Sequence, residues 1–134
     1  MMTSSQVRKL INDKINAFTG IQRSLIQIAN QPNFKPPLKA LWCRVTVDYA
    51  PSVNVGINDG SCVRDFGLIS IQCFTPVGSG DIAVMALADQ WRAHWKDYGL
   101  GGFEVIVTHA PTSPYSEVGD NYVITIVRIE FRVN

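Results

Sequence analysis

The chain has 134 residues, of which 46% are hydrophobic and 17% are charged, and its formal net charge is +1. This length predicts a single domain, residues 1–134, and the near-zero net charge argues against attraction to nucleic acid or to a membrane surface. The apolar runs are too short to span a membrane, and we expect no signal peptide because charged residues interrupt residues 1–20. The three cysteines lack metal-type spacing, which indicates reduced thiols in a cytoplasm.

The first third of the sequence predicts one helix and one short strand. Apolar residues recur at helical spacing over residues 4–18, Ser4 or Ser5 can cap the start of this helix, and Gly20 can end it. A short apolar run near residues 24–29 is predicted as a strand. Three prolines, Pro32, Pro36 and Pro37, then predict an extended linker.

Two longer strands follow, and their alternation assigns each side chain to a face of a sheet. In residues 39–49 one face holds Leu41, Cys43, Val45, Val47 and Tyr49, and the other holds Trp42, Arg44, Thr46 and Asp48. In residues 63–74 one face holds Ile69, Ile71 and Cys73, and the other holds Leu68, Ser70, Gln72 and Phe74. The loop between the strands, residues 51–62, is rich in Gly, Asn and Asp.

The stretch "PVGSGD" at residues 76–81 joins the second of these strands to a predicted helix. Glycines before a helix N-terminus can hold phosphate. However, the spacing of the phosphate-binding loop is absent, no lysine occurs until Lys96, and the Asp81 carboxylate would compete with an anion. We therefore interpret the stretch as a tight turn in which Ser79 or Asp81 is the N-cap.

The last part of the sequence predicts a helix at residues 81–98, a strand at 103–110, a loop at 110–120 and a final strand at about 121–132. The helix has one apolar face, formed by Val84, Leu87, Ala88, Trp91, Trp95 and Tyr98. The order of elements predicts an α+β fold with a mainly antiparallel, mixed sheet of about four or five strands flanked by two helices. Apolar residues on both faces of the final strand indicate that both sides of the sheet are covered there.

No catalytic, metal-binding or cofactor-binding constellation stands out in the sequence. We interpret His94, which lies beside two tryptophans, as a packing or surface residue, and the cysteines as small buried apolar residues. The carboxylates are scattered, so no spacing recommends a metal site.

Two features of the sequence are less ordinary. Trp42 and Arg44 share the more polar face of their strand, where they form either a half-exposed stacked pair or an interface anchor. Arg128, Glu130 and Arg132 alternate on the final strand, which is typical of a solvated face but also fits charges paired across a subunit boundary.

In this order of motifs the chain resembles the tail terminator-like proteins of long-tailed bacteriophages. The resemblance rests on the stretches "QVRKLINDKINAF", "NQPNFKPP", "LWCRV", "RDFGLISIQCFTPVGSGD", "ALADQW" and "NYVITIVRIEF", taken together and in sequence. It covers most of the chain, and the loops 51–62 and 110–120 match nothing in it.

The resemblance implies a structural virion protein without enzymatic activity or cofactor. It implies a ring, expected to be a hexamer, on the head-proximal end of the tail tube, where the ring stops tube polymerisation. The expected partners are further copies of the chain, the tail tube protein and a head-side connector, while DNA passes through the lumen without specific contacts. The protein is then expected in the virion tail after synthesis in the bacterial cytoplasm.

The candidate assembly residues are Trp42, Arg44, Asn58, Asp59, Arg64, Asp81, Arg128, Glu130 and Arg132. Two alternatives stay open at this point. The chain is another neck or connector protein of the same particle, or it is a small oligomeric α+β enzyme with a site between subunits that contains His109 or Arg64.

Overall fold

The structure is a computed structural model that describes residues 3–28, 34–37, 39–50, 53–54, 63–78, 80–112 and 122–133, with no side chains described for 53, 54, 63 and 64. Its helices are α1 (Ser4–Asn16) and α2 (Ile82–Trp95), and a 3-10 turn spans Arg23–Leu25. Its strands are β1 (Ile26–Ile28), β2 (Trp42–Tyr49), β3 (Val53–Asn54), β4 (Val63–Pro76), β5 (Gly99–Leu100), β6 (Phe103–Thr108) and β7 (Tyr122–Val133).

Six strands form one curled sheet in the order β1-β2-β4-β7-β6-β5, and β3 pairs with the start of β4. β1 runs parallel to β2, and the other pairs are antiparallel. The predicted α+β class, with a mixed and mainly antiparallel sheet and two helices, is confirmed. The two-residue strands β3 and β5 were not predicted, because two residues are too few for a periodic pattern.

The long strands β4 and β7 form the centre of the sheet. β7 pairs with β4 over Asp65–Pro76, and β2 pairs with β4 over Gly67–Phe74 on the opposite edge. β6 pairs with the C-terminal part of β7, with a bulge between Val105 and Val107. Consequently, β1 and β5 lie at opposite edges of the sheet.

One face of the sheet, here called the inner face, packs against both helices. Its buried side chains belong to one apolar core together with those of α1 and α2, and on the sheet they include Cys43, Val45, Ile69, Ile71, Cys73, Val127, Ile129 and Phe131. The predicted faces of β2 and β4 are therefore confirmed. We call the opposite side the outer face.

The start of α1 differs from the prediction. Thr3 is the N-cap: its hydroxyl accepts a hydrogen bond from the Gln6 amide, and the Gln6 side chain accepts one from the Thr3 amide. The prediction of Ser4 or Ser5 as the cap was wrong by one or two residues. The deciding partner is Gln6, because a capping box requires Glu or Gln three residues after the cap.

The apolar face of α2 lies as predicted. Val84, Leu87, Ala88, Trp91 and Trp95 are buried, and both tryptophans have 0% exposure. The Trp91 ring stacks on Phe18 at 3.7 Å between centroids, which connects α2 to the end of α1. Asp81 occupies the N-cap position, as one of the two predicted candidates, but its side chain makes no capping hydrogen bond. Ser79 lies outside the described residues.

Candidate assembly surface

The outer face carries a mixture of polar and apolar side chains across three adjacent strands. Strand register places Arg44 beside Gln72, Thr46 beside Ser70, Ser70 beside Arg128, and Leu68 beside Glu130. These side chains are all half-buried, whereas Asp48, which pairs with Leu68, is exposed. Since both described helices pack on the inner face, no helix in the described part of the chain covers this surface. A mixed surface of this kind is typical of non-obligate protein contacts.

At one end of the outer face, Trp42 lies in an aromatic cluster. Its ring stacks on Phe74 at 4.0 Å between centroids and also contacts Phe34 and Tyr122. The Tyr122 hydroxyl donates a hydrogen bond to the carbonyl of Pro37, which holds the linker over this end of the sheet. Trp42 is only 3% exposed. Trp42 is therefore neither half-exposed nor accessible as an interface anchor, because residues distant in sequence cover it.

Arg44 forms the stacked pair with Trp42 that the sequence indicated. Its guanidinium carbon lies 5.4 Å from the Trp42 ring centroid and 5.3 Å from that of Phe74, within cation–π range. Its Nε donates to Gln27 Oε1 at 3.1 Å, across the β1–β2 pair. Arg44 is half-buried, so its charge is held in place over the aromatic cluster while part of the guanidinium meets solvent.

Each of the alternating charges on β7 has a partner within the same chain. Arg128 donates to the Thr112 hydroxyl at 2.7 Å, Glu130 lies 2.5 Å from His109 Nε2, and Arg132 contacts Glu104 at 2.7 Å. All three partners come from β6 and the segment that follows it. The alternation therefore does not require a second subunit, which favours the interpretation as a solvated face.

The His109–Glu130 pair lies in a shallow cleft of about 440 Å³. The cleft is lined by Asp48, Tyr49, Ala50, Phe66, Gly67, Leu68, His109, Arg128 and Glu130. Both members of the pair are about half exposed, at 46% and 47%. In this cleft of the described structure, the His109–Glu130 pair lies together with Arg128. If the protein is an enzyme, this cleft is the candidate active site.

Of the remaining candidate residues, Asp81 has a described side chain and does not join this surface. Asn58 and Asp59 lie outside the described residues, and the side chain of Arg64 is not described. Asp81 is exposed at the start of α2, so it belongs to the helix layer on the inner side. Of the predicted set, Arg44, Arg128, Glu130 and Arg132 therefore share the outer face, with Trp42 beneath Arg44.

The other reactive side chains have packing roles. His94 packs between Phe18, Trp91 and Trp95, and its Nε2 lies 2.7 Å from the carbonyl of Lys14. Burial lowers the pKa of His94. The indole of Trp91 donates to Cys43 Sγ at 3.4 Å.

The two buried thiols lie opposite each other on β2 and β4. Cys43 and Cys73 are register partners with sulfurs 3.8 Å apart. The hydrogen bond to Cys43, together with burial, raises the pKa of the Cys73 thiol. Both thiols are buried in the apolar core. Within the described ranges no cluster of three His, Cys, Asp or Glu could hold a metal ion, and no helix is long and apolar enough to cross a membrane.

The sequence did not single out the apolar side chains at the β5–β6 edge. Leu100 is 60% exposed, and Ile106 and Val107 are 46% and 39% exposed. The bulge in β6 breaks the alternation, so two consecutive apolar residues are both exposed. The sequence of one strand does not predict a bulge, because a bulge depends on the partner strand. However, the unbroken apolar run at residues 105–107 was a sign in the sequence that the alternation of faces is interrupted there.

Comparison with known proteins shows the fold and nothing finer. No protein-family model matches the chain, and no curated protein matches it. The chain is similar to a solved structure with a TM-score of 0.72 at 16% sequence identity, covering 100% of this chain and 97% of the other. The name of that protein states no activity, partner or family. At this identity the similarity establishes that the two chains share a complete fold.

Proposed function

We propose that this chain is the tail terminator of a long-tailed bacteriophage, a structural protein that forms a ring on the head-proximal end of the tail tube. The observation that supports this most is the outer face, which presents fixed charges and apolar groups over three strands and which no helix of the described residues covers. The motif order of the sequence supports the same role. The role needs no catalysis and no cofactor.

Such a protein acts by changing the surface at the end of the tube. A growing tube exposes the surface that the next tube subunit would bind. A ring of terminator copies occupies that surface and presents a different one to the head-side connector, so polymerisation stops. We assign the outer face, with Arg44 and the β7 charges, to contact with the tube or the connector. The lumen then passes DNA without reading its sequence, consistent with the net charge of +1.

Complementation of a terminator-defective phage tests this proposal. Arg44→Glu and Arg128→Glu reverse outer-face charges, and Lys9→Glu makes the same charge change on exposed α1. Wild type and Lys9→Glu should give tails of uniform length with heads attached. Thermal unfolding first checks that the two outer-face variants are folded. Folded outer-face variants should then give overlong or headless tails. Uniform, headed tails with both outer-face variants would refute the assignment of this surface, and failure of wild type in every matched phage would refute the terminator role.

The same experiment separates a terminator from another neck protein. Loss of a terminator produces tubes of variable length, because nothing stops their growth. Loss of a connector component leaves tails of normal length that lack heads. Tail length measured by electron microscopy in the absence of this protein therefore decides between the two roles.

The alternative that this protein is an enzyme would place the active site in the cleft around His109. An imidazole 2.5 Å from a carboxylate, with Arg128 in the same cleft, is an arrangement that acid–base chemistry uses. If this pair carries the function, His109→Gln should abolish complementation while the protein stays folded. If the protein is structural, His109→Gln should retain uniform, headed tails.

A further inference from the structure

The inner face of the sheet holds two nucleophilic side chains that the proposed function does not use. Cys43 on β2 and Cys73 on β4 are free thiols, and both have 0% exposure. They are register partners, so they lie directly opposite each other, and their sulfurs are 3.8 Å apart. The third cysteine, Cys62, lies outside the described residues. The fold therefore brings together two thiols that are 30 residues apart in the chain.

The placement of these two cysteines suits a disulfide bond. Directly opposed residues of antiparallel strands have Cα atoms about 4.5 or 5.5 Å apart, and both separations lie within the range that disulfides span. Sulfurs at 3.8 Å need to approach by about 1.8 Å to reach the length of an S–S bond. Rotation about the two Cα–Cβ bonds supplies a movement of this size, so β2 and β4 stay paired when the bond forms.

The surroundings of the pair make the two sulfurs unequal. The indole N–H of Trp91 donates to Cys43 Sγ at 3.4 Å. The contact with Cys73 lowers the pKa of the Cys43 thiol against the opposing effect of burial, and the Trp91 hydrogen bond lowers it further. The same contact raises the pKa of the Cys73 thiol, as does burial. Cys43 is therefore the sulfur that ionises first and attacks, and Cys73 is the sulfur that closes the bond.

We propose that Cys43 and Cys73 form a reversible disulfide that fastens β2 to β4 when the chain meets a small disulfide such as oxidised glutathione. Cys43 attacks one sulfur of that molecule and displaces a first thiol, which takes up the proton of Cys43. Cys73 then attacks Cys43 Sγ and displaces a second thiol, which takes up the proton of Cys73. The protein loses two electrons and two protons, and the small disulfide gains both.

Burial sets the conditions under which this reaction occurs. Both sulfurs are covered in the closed fold, so the small disulfide reaches Cys43 when β2 opens locally. β2 lies one strand from the edge of the sheet, and its outer neighbour is the three-residue strand β1. In a reducing compartment the pair stays as two thiols, as the sequence predicts, and in an oxidising compartment the bridge closes. The bridge then opposes further opening of the strand that carries Arg44. This inference does not depend on the terminator role.

A redox titration of the Cys62→Ser protein tests the proposal, because this variant keeps only Cys43 and Cys73. The full chain is equilibrated with mixtures of reduced and oxidised glutathione, starting from both the reduced and the oxidised protein, in native buffer and in concentrated urea. Alkylation and mass spectrometry give the disulfide fraction, and peptide mapping identifies the linked residues. The equilibrium constant for the bridge should be at least about tenfold larger in native buffer than in urea, because the fold holds the sulfurs together.

A single-thiol control and wild type complete the test. Cys62→Ser/Cys73→Ala should form only a mixed disulfide with glutathione. If either variant does not fold, wild type decides by the same peptide mapping, and its native form should contain the Cys43–Cys73 link. An equilibrium constant no larger in native buffer than in urea would overturn the proposal, as would native protein that holds only mixed disulfides or links between chains. Either result leaves the terminator proposal to be decided by tail-length complementation.

Discussion

Trp42 illustrates what alternation along a strand can and cannot predict about a residue. The pattern placed it correctly on the outer face, but Phe34 and Tyr122, which cover it, come from distant segments. We therefore expect Trp42→Ala to lower the free energy of unfolding by about 3–5 kcal/mol. Trp42→Phe should cost far less, because it keeps the stack and its indole N–H has no partner among the described residues. Urea unfolding measures both, and a stable Trp42→Ala protein would contradict the burial.

The two buried tryptophans of α2 differ in the hydrogen bonding of their indole N–H groups. The indole N–H of Trp91 donates to Cys43 Sγ, whereas that of Trp95 has no partner in the described structure. Trp91→Phe should therefore lower the free energy of unfolding by about 1 kcal/mol more than Trp95→Phe. Chemical denaturation of the pair measures the difference, and each variant is the control for the other. Equal losses would mean that the N–H···S contact contributes nothing.

His94 predicts a dependence of stability on pH. Burial lowers its pKa in the folded protein, so the unfolded chain takes up a proton at a higher pH than the folded chain does. The stability that His94 contributes is fully present above the unfolded pKa of about 6.5 and is lost as pH falls through the folded value. The thermal midpoint of wild type should fall over this range, and that of His94→Gln should fall less. Parallel curves for the two proteins would contradict the prediction.

At the scale of elements, the long periodic segments were predictable and the pairing-dependent details were not. The apolar faces of α2, β2 and β4 follow from spacing within each segment. The partners of Arg128, Glu130 and Arg132 follow only from how β6 and the segment after it pair with β7, which single-strand patterns do not contain. The candidate surface was therefore predicted as a face of the sheet, but its aromatic end and its internal ion pairs were not.

Gly67 shows how one position on β4 accommodates its neighbour strand. A Cβ there would lie 2.3 Å from Phe131 Cζ and 2.9 Å from the carbonyl oxygen of Asp48. Gly67→Ala should therefore force the Phe131 ring out of place and cost about 1–3 kcal/mol. Gly99→Ala is the matched control, since its Cβ would come no closer than 3.4 Å to another residue. A Gly67→Ala protein as stable as Gly99→Ala would show that the ring can shift without cost.

At the scale of the whole molecule, surface charge should control assembly and leave folding nearly unchanged. The ion pairs Lys9–Asp13 and Arg132–Glu104 lie at exposed or half-exposed positions, where ion pairs contribute little to stability. Salt should therefore weaken contacts between copies while the thermal midpoint stays nearly constant. Sedimentation and thermal unfolding across a salt series measure both quantities. A midpoint that falls in step with assembly would indicate that the chain depends on its neighbours for folding.

The position of β7 has a further consequence, for the kinetics of folding. β7 is the last described strand in the chain, yet it lies between β4 and β6 and is the strand that joins the β1–β2–β4 part of the sheet to β5–β6. Phe66 pairs with Arg132, so sheet closure joins residues far apart in sequence. Contacts of such long range slow folding. During synthesis, the inner face of β4 must therefore wait for β7 to leave the ribosome, and the chain should fold late and in one cooperative step.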